Sequence, residues 1–316
     1  MVVLAIDIGG TQYRLAVVDD RGNILAQHRE KTERLQGAPW LIPRLVEGAH
    51  DLVEEVKVRP RAIGVGFGGP VDYKEQRILA SLHAPGWEQT DLGSILHQEF
   101  KIPVVIDNDA NLGAYGEFIF GAGRGYHNLL YYTVSTGVGG GVIIDGQLFR
   151  GVHGQAGELG HIPIMWDGPP CTCGYKGCVE SLCSGLAIAQ RALEAIKDDR
   201  NQPLAQHLED TGSLAAKDVF EYASLGDPLA KKIVEEVKDL FVMALIGAIN
   251  VFDPEVVVVG GGVGSSPTFV EGMTARVNGN LVIPGRRAIP CVRSVLGDDS
   301  VLCGATALAW DLVNKK

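Results

Sequence analysis

Apolar residues run from Val2 to Ile6, give way to Asp7 and the pair Gly9-Gly10, and resume from Arg14 to Val18 before Asp20-Arg21-Gly22-Asn23 turns the chain into Ile24–Gln27. Short apolar runs punctuated by Gly and Asn read as strands, so residues 2–27 predict a three-strand meander with a Gly-Thr first turn. The same order returns from Leu129 to Arg150: an apolar run, the segment Ser135–Gly141, a strand Val142–Ile144, an Asp145-Gly146 turn and a further short strand. The chain therefore reads as two related halves. Each half continues at helical period, with Leu41, Leu45, Ala49, Leu52, Val53 and Val56 on one face and a long run from Pro228 to Val251. Strands alternating with such helices predict layered α/β domains.

A chain of 316 residues exceeds the roughly 250 to 300 at which one core stops growing, so two domains around a cleft are expected. The repeat sets them at 1–115, a small α/β domain joined by a C-terminal helix 303–316, and 116–302, a larger α/β domain. The formal charge is −10, and Lys and Arg gather in no one segment, so no nucleic-acid partner is expected. MVVLAIDIGG lacks a basic flank and meets Asp7 early, unlike a secretion signal. The longest apolar stretch, Phe241–Phe252, falls short of the ~20 residues that span a bilayer. A cytoplasmic protein without a membrane partner is the expectation.

Candidate chemistry lies in five segments. In Leu4–Thr11, Gly9 and Gly10 allow close backbone approach and positive φ, Thr11 offers a hydroxyl, and Asp7 is placed for a Mg²⁺ hydration shell. Alone, this is equally an ordinary hairpin turn. The second loop, with Thr136, Gly137, Gly139 and Gly140, repeats the chemistry, and two such loops suit a polyphosphate. A third cluster, Val256–Gly264, follows an apolar strand without G-x-G-x-x-G spacing; its Gly261 and Gly262 are assigned to adenosine, with a dinucleotide site as the alternative. No G-x-x-x-x-G-K-[ST] occurs, nor a protein-kinase motif set. In Val104–Asn111 a strand delivers Asp107, Asn108 and Asp109 to its C-terminal end, where Asp109 is the candidate general base and helix capping the plain alternative. The fifth segment, Gly154–Glu180, holds His161, Cys171, Cys173 and Cys178, a nitrogen and three thiolates that suit a closed, structural zinc site. Glu158 and Glu180 flank it and are candidates for sugar hydroxyls.

Taken in order, D-I-G-G-T (Asp7–Thr11), G-F-G-G-P (Gly66–Pro70), N-D-A-N (Asn108–Asn111), S-T-G-V-G-G-G (Ser135–Gly141), G-E-L-G-H (Gly157–His161) and C-T-C-G-Y-K-G-C-V-E (Cys171–Glu180) closely resemble the ROK family, and within it the bacterial glucokinases. The resemblance implies an actin-like (ribonuclease H-like) two-domain sugar kinase fold and transfer of a phosphoryl group from ATP, with Mg²⁺, to a hexose. Glucose is the first choice, with N-acetylmannosamine, N-acetylglucosamine, mannose or fructose as alternatives. It implies Asp109 as catalytic base, sugar contacts from Gly68, Asn108, Asp109, Glu158, His161 and Glu180, and a homodimer or homotetramer. One departure is Gln12, where the family usually has Lys after D-x-G-G-T; Arg14 stands two positions on. Sugar-responsive repressors of the family carry a DNA-binding segment before the phosphate loop, which here begins at residue 7, so an enzyme is expected ahead of a sugar-sensing regulator.

Overall fold

The computed structural model describes residues 1–81, 84–88, 90–198, 203–281 and 285–314. In chain order its elements are β1 (Val2–Ile8), β2 (Gln12–Asp19), β3 (Ile24–Lys31), α1 (Gly37–Val56), β4 (Ile63–Phe67), β5 (Val71–Asp72), β6 (Arg77–Ile78), α2 (Leu92–Phe100), β7 (Val104–Asn108) and α3 (Asp109–Phe120). There follow β8 (Leu129–Val134), β9 (Val138–Ile144), β10 (Gln147–Leu148), α4 (Val179–Cys183), α5 (Gly185–Asp198), α6 (Pro203–Thr211), α7 (Ala216–Ser224), α8 (Pro228–Phe252), β11 (Val256–Gly260), α9 (Gly261–Gly264), α10 (Pro267–Val270), α11 (Met273–Asn280), β12 (Cys291–Arg293) and α12 (Ser300–Asn314).

The repeat seen in the sequence becomes two five-stranded sheets of one pattern, ordered β3-β2-β1-β4-β7 and β10-β9-β8-β11-β12. In the first, β1 pairs antiparallel with β2, β2 antiparallel with β3, and β4 parallel with both β1 and β7. In the second, β11 is parallel to β8 and β12. Central parallel strands are covered on both faces, which explains why β4 and β11 are buried along their whole length.

The chain divides into two compact units: residues 1–126 with 141–157 and 298–316, and residues 127–140 with 158–297. The first break follows Tyr126, whereas the sequence reading set it after residue 115, a point inside α3. α3 and α12 form one packed pair, which a break within α3 would divide.

In the first unit α1 buries Leu41, Leu45, Ala49 and Leu52 as it packs on β2, β3 and α2, while Val53 and Val56 lie half-buried at its flank. On the other face of the sheet α12 crosses β1, β4 and α3 at close range because small residues meet there. A Cβ on Gly304 would stand 1.8 Å from the Leu112 carbonyl oxygen, and one on Gly116 2.2 Å from that of Ser300. Gly304→Ala is therefore expected to force the two helices apart and cost about 2 to 3 kcal/mol, read as a lower urea midpoint at unchanged slope. In the second unit α8 buries Phe241, Leu245, Ala248 and Ile249, with Phe241 against Tyr132 of β8. Among the described residues no helix is long and apolar enough to cross a membrane.

Candidate active site

The turn from β1 to β2 is closed by the Gly9 N–H donating to the Gln12 carbonyl at 3.0 Å. Its other carbonyls all face one neighbouring segment. Thr32 donates its N–H to Thr11 O (3.0 Å) and its hydroxyl to Gly9 O (3.1 Å), and Arg34 Nε donates to Gly10 O. In a planar trans peptide the N–H points opposite the C=O, so the Gly10 and Thr11 amides are directed away from residues 32–34, as an anion-binding turn requires. Thr32 and Arg34 carry no motif and were invisible to sequence reading. Gln12 opens β2 opposite Lys31.

Asp7 lies beneath this turn, its Oδ2 accepting from Arg14 Nε (3.1 Å) and Nη2 (2.7 Å). Burial raises its pKa, and the Arg14 guanidinium opposes that rise. Arg14 reaches also to Asp299 Oδ1 at 3.3 Å and to the Asp298 carbonyl, which ties the first loop to the start of α12.

Asn108 is the N-cap of α3: its Oδ1 accepts the Ala110 and Asn111 N–H groups at 2.9 and 3.1 Å, and its Nδ2 donates to Gly69 O at 3.2 Å. With the cap filled by Asn108, Asp109 occupies the first turn of the helix, its Oδ1 accepting the Ala110 N–H at 2.8 Å. The helix N-terminus favours its negative charge there. A Cβ on Gly68 would stand 3.3 Å from Asp109 Oδ2, so the structure brings Gly68, Asn108 and Asp109 together. A small cavity lined by Gly9, Gly10, Thr32, Arg34, Gly68 and Trp87 connects Gly68 to the first loop.

In the second unit the loop after β8 is narrower than the sequence implied. Gly139 and Gly140 lie inside β9, leaving Ser135, Thr136 and Gly137 as the turn, which is closed by Ser135 N–H to Gly137 O at 2.9 Å. Sheet pairing claimed the two glycines as strand. Nor do the glycines of either loop adopt the positive φ anticipated for them; among the three clusters Gly261 does, at 81°. Gly9 and Gly137 serve close approach instead, a Cβ standing 3.0 Å from Gln12 O and 2.5 Å from Glu180 Oε2, and a Cβ on Gly261 would stand 2.5 Å from Val134 O. Gly262 faces Ser135 Oγ, so the third cluster abuts the second loop.

His161, Cys171, Cys173 and Cys178 place one donor atom each within 4.8 Å of all the others. Cys171 Sγ is 3.5 Å from His161 Nδ1, and Cys173 Sγ is 3.7 Å from Cys178 Sγ. A tetrahedral ion with bonds of about 2.3 Å to sulfur and about 2.0 Å to nitrogen spaces two sulfurs by about 3.8 Å and a sulfur and nitrogen by about 3.5 Å. The donor set fits such an ion. Without it, burial pushes the Cys178 thiol up to about 12, so metal loading displaces a proton there. Nδ1 faces the thiols and Nε2 stands 4.0 Å from the Glu158 carboxylate, so the imidazole presents its two nitrogens to two different tasks. Glu180 begins where the metal loop ends. Its Oε1 accepts from the Thr172 hydroxyl at 3.2 Å and its Oε2 from the Val138 N–H at 3.0 Å, linking that loop to the second glycine turn.

The ROK family pattern matches residues 3–311, and the chain belongs to the ROK family. The glucokinase of Halalkalibacterium halodurans is 35% identical over 264 residues, 82% of this chain and 80% of that one. The crystal structure of the ROK family glucokinase from Streptomyces griseus in complex with glucose and AMPPNP superposes at a TM-score of 0.84 with 31% identity, covering 98% of this chain and 100% of that chain. The xylose repressor of Bacillus subtilis is 29% identical over 98% of this chain and 77% of its own length. The fold is the actin-like two-domain fold of ROK sugar kinases.

Proposed function

We propose that this chain is an ATP-dependent glucokinase. It is a hexokinase-type phosphotransferase that phosphorylates a hexose, in keeping with its glucokinase relatives. The observation that carries the chemistry is Asp109, presented in the first turn of α3 beside Gly68 with the capping role already taken by Asn108. Asp109 accepts the proton of the sugar 6-hydroxyl as that oxygen forms its bond to the γ-phosphorus. The bond from γ-phosphorus to the bridging oxygen breaks, and ADP leaves with the electron pair. Gly68, Asn108, Glu158, His161 and Glu180 hold sugar hydroxyls.

Phosphate oxygens are held by backbone amides of the two loops, Gly10 and Thr11 in one and Thr136 and Gly137 in the other, with Gly261 and Gly262 against the adenosine. Mg²⁺ carried in with the nucleotide offsets phosphate charge. Arg14 already balances Asp7, which suits Asp7 to a water of the ion's hydration shell better than to direct coordination. Zinc fits the His161, Cys171, Cys173 and Cys178 set; with all four positions taken by protein it supplies rigidity, not Lewis acidity.

A coupled assay over a sugar panel tests the reading. The highest kcat/KM is expected for glucose. A value for N-acetylmannosamine or N-acetylglucosamine well above that for glucose overturns the substrate, and no ATP consumption with any hexose overturns the kinase in favour of a sugar-sensing regulator.

A further inference from the structure

Asp107 takes no part in the reaction as written above, yet it is only 2% exposed and organises the turn that carries the base. Its Oδ1 accepts the Asn108 N–H at 2.8 Å and an Asn111 side-chain N–H at 3.2 Å. Its Oδ2 accepts from Arg150 Nε at 2.8 Å and lies 2.7 Å from Nη2. The guanidinium lies over the Tyr73 ring, its Cζ 3.7 Å from the ring centre. The Arg150 carbonyl accepts the Ala156 N–H at 3.0 Å and closes a loop in which Gly151 and Gly154 have positive φ, as does Gly157 just beyond it.

A carboxylate this deeply buried requires an opposite charge. A buried ion pair adds little net stability over an apolar pair of equal volume, so bulk stability is a weak reason to place one here. Its position is the better reason. Asp107 holds the backbone on one side of Asp109 through Asn108 and the first helical turn on the other through Asn111, both at Oδ1, while Arg150 fixes Oδ2.

We propose that Arg150 is a positioning residue for phosphoryl transfer: by neutralising and clamping Asp107 it fixes the turn from which Asp109 meets the sugar hydroxyl. The proposal rests on Asp109 being the base. Arg150→Met leaves Asp107 buried and unpaired, and a misplacement of the base by a fraction of an ångström to 1 Å is expected to lower kcat by about tenfold to 10²-fold, with sugar affinity changed by less than about threefold. The pair Asp107→Asn with Arg150→Met carries no orphan charge and is expected to regain at least about tenfold of that loss. Arg150→Lys keeps the charge without the fork or the flat stacking surface and is expected to fall between.

Each variant is measured for kcat, for sugar affinity by calorimetry and for thermal midpoint, beside Asp109→Asn. A double variant no faster than Arg150→Met, at comparable thermal midpoints, overturns the proposal, as does an Arg150→Met kcat within about twofold of the parent. Should Arg150→Met not fold, the comparison of Arg150→Lys with the double variant decides: both at parental kcat overturns it. Asp109→Asn keeps the readings apart, since its full activity sinks the base itself, whereas its loss alongside an active Arg150→Met sinks the clamp alone.

Discussion

Asp109→Asn is expected to lower kcat by roughly 10²-fold or more while leaving sugar affinity largely intact. The amide has the shape of the carboxylate, and its oxygen still accepts the Ala110 N–H that Asp109 Oδ1 takes at 2.8 Å. It cannot take a proton from the attacking hydroxyl. Because Asn108 and not Asp109 caps α3, the exchange leaves the helix start supported, and the loss should fall on turnover rather than on folding. Steady-state kcat with sugar titrated by calorimetry checks this. Near-parental turnover at normal sugar affinity removes Asp109 from the role of base.

Zinc removal should act elsewhere. Four protein donors imply about one zinc per chain, and Cys173→Ser should lose it. Where free zinc exceeds its dissociation constant by roughly 100- to 1,000-fold, the metal contributes about 3 to 4 kcal/mol of stability, which the variant forfeits. Sugar affinity should fall by at least about tenfold, because on the proposed assignment the ion would orient the His161 ring and hold the loop that ends in Glu180. Nucleotide affinity should fall less, through Glu180, whose Oε2 holds the Val138 N–H of the second loop. Elemental analysis and paired calorimetry read these effects. Fully active protein without zinc, or Cys173→Ser with normal sugar affinity after its metal is gone, would defeat the assignment.

The parts legible in the sequence share a physical property: their information is local. The strand runs and their turns follow from side-chain alternation over a few positions, and the duplicated order of the two sheets is the same signal read twice. Asn108 and Asp109 are readable because a cap and a strand end are decided within a few residues. The metal set is readable because three of its four donors fall between Cys171 and Cys178 and thiolates in that spacing have few other uses.

Tertiary structure decided what depends on distant partners. The Asp107–Arg150 pair and the Arg14 bonds to Asp298 and Asp299 join residues with no sequence relation, and the Thr32 and Arg34 bonds to the first loop are fixed by where β3 ends. Gly139 and Gly140 looked like loop because glycine content is a local property, but cross-strand pairing made them strand. Residues 141–157 and 298–316 join the first unit because small residues let helices and strands approach there, as Gly304 meets the Leu112 carbonyl and Gly141 the Ala110 carbonyl. Close approach of backbones is a property of two surfaces at once, and one stretch of sequence records only one of them.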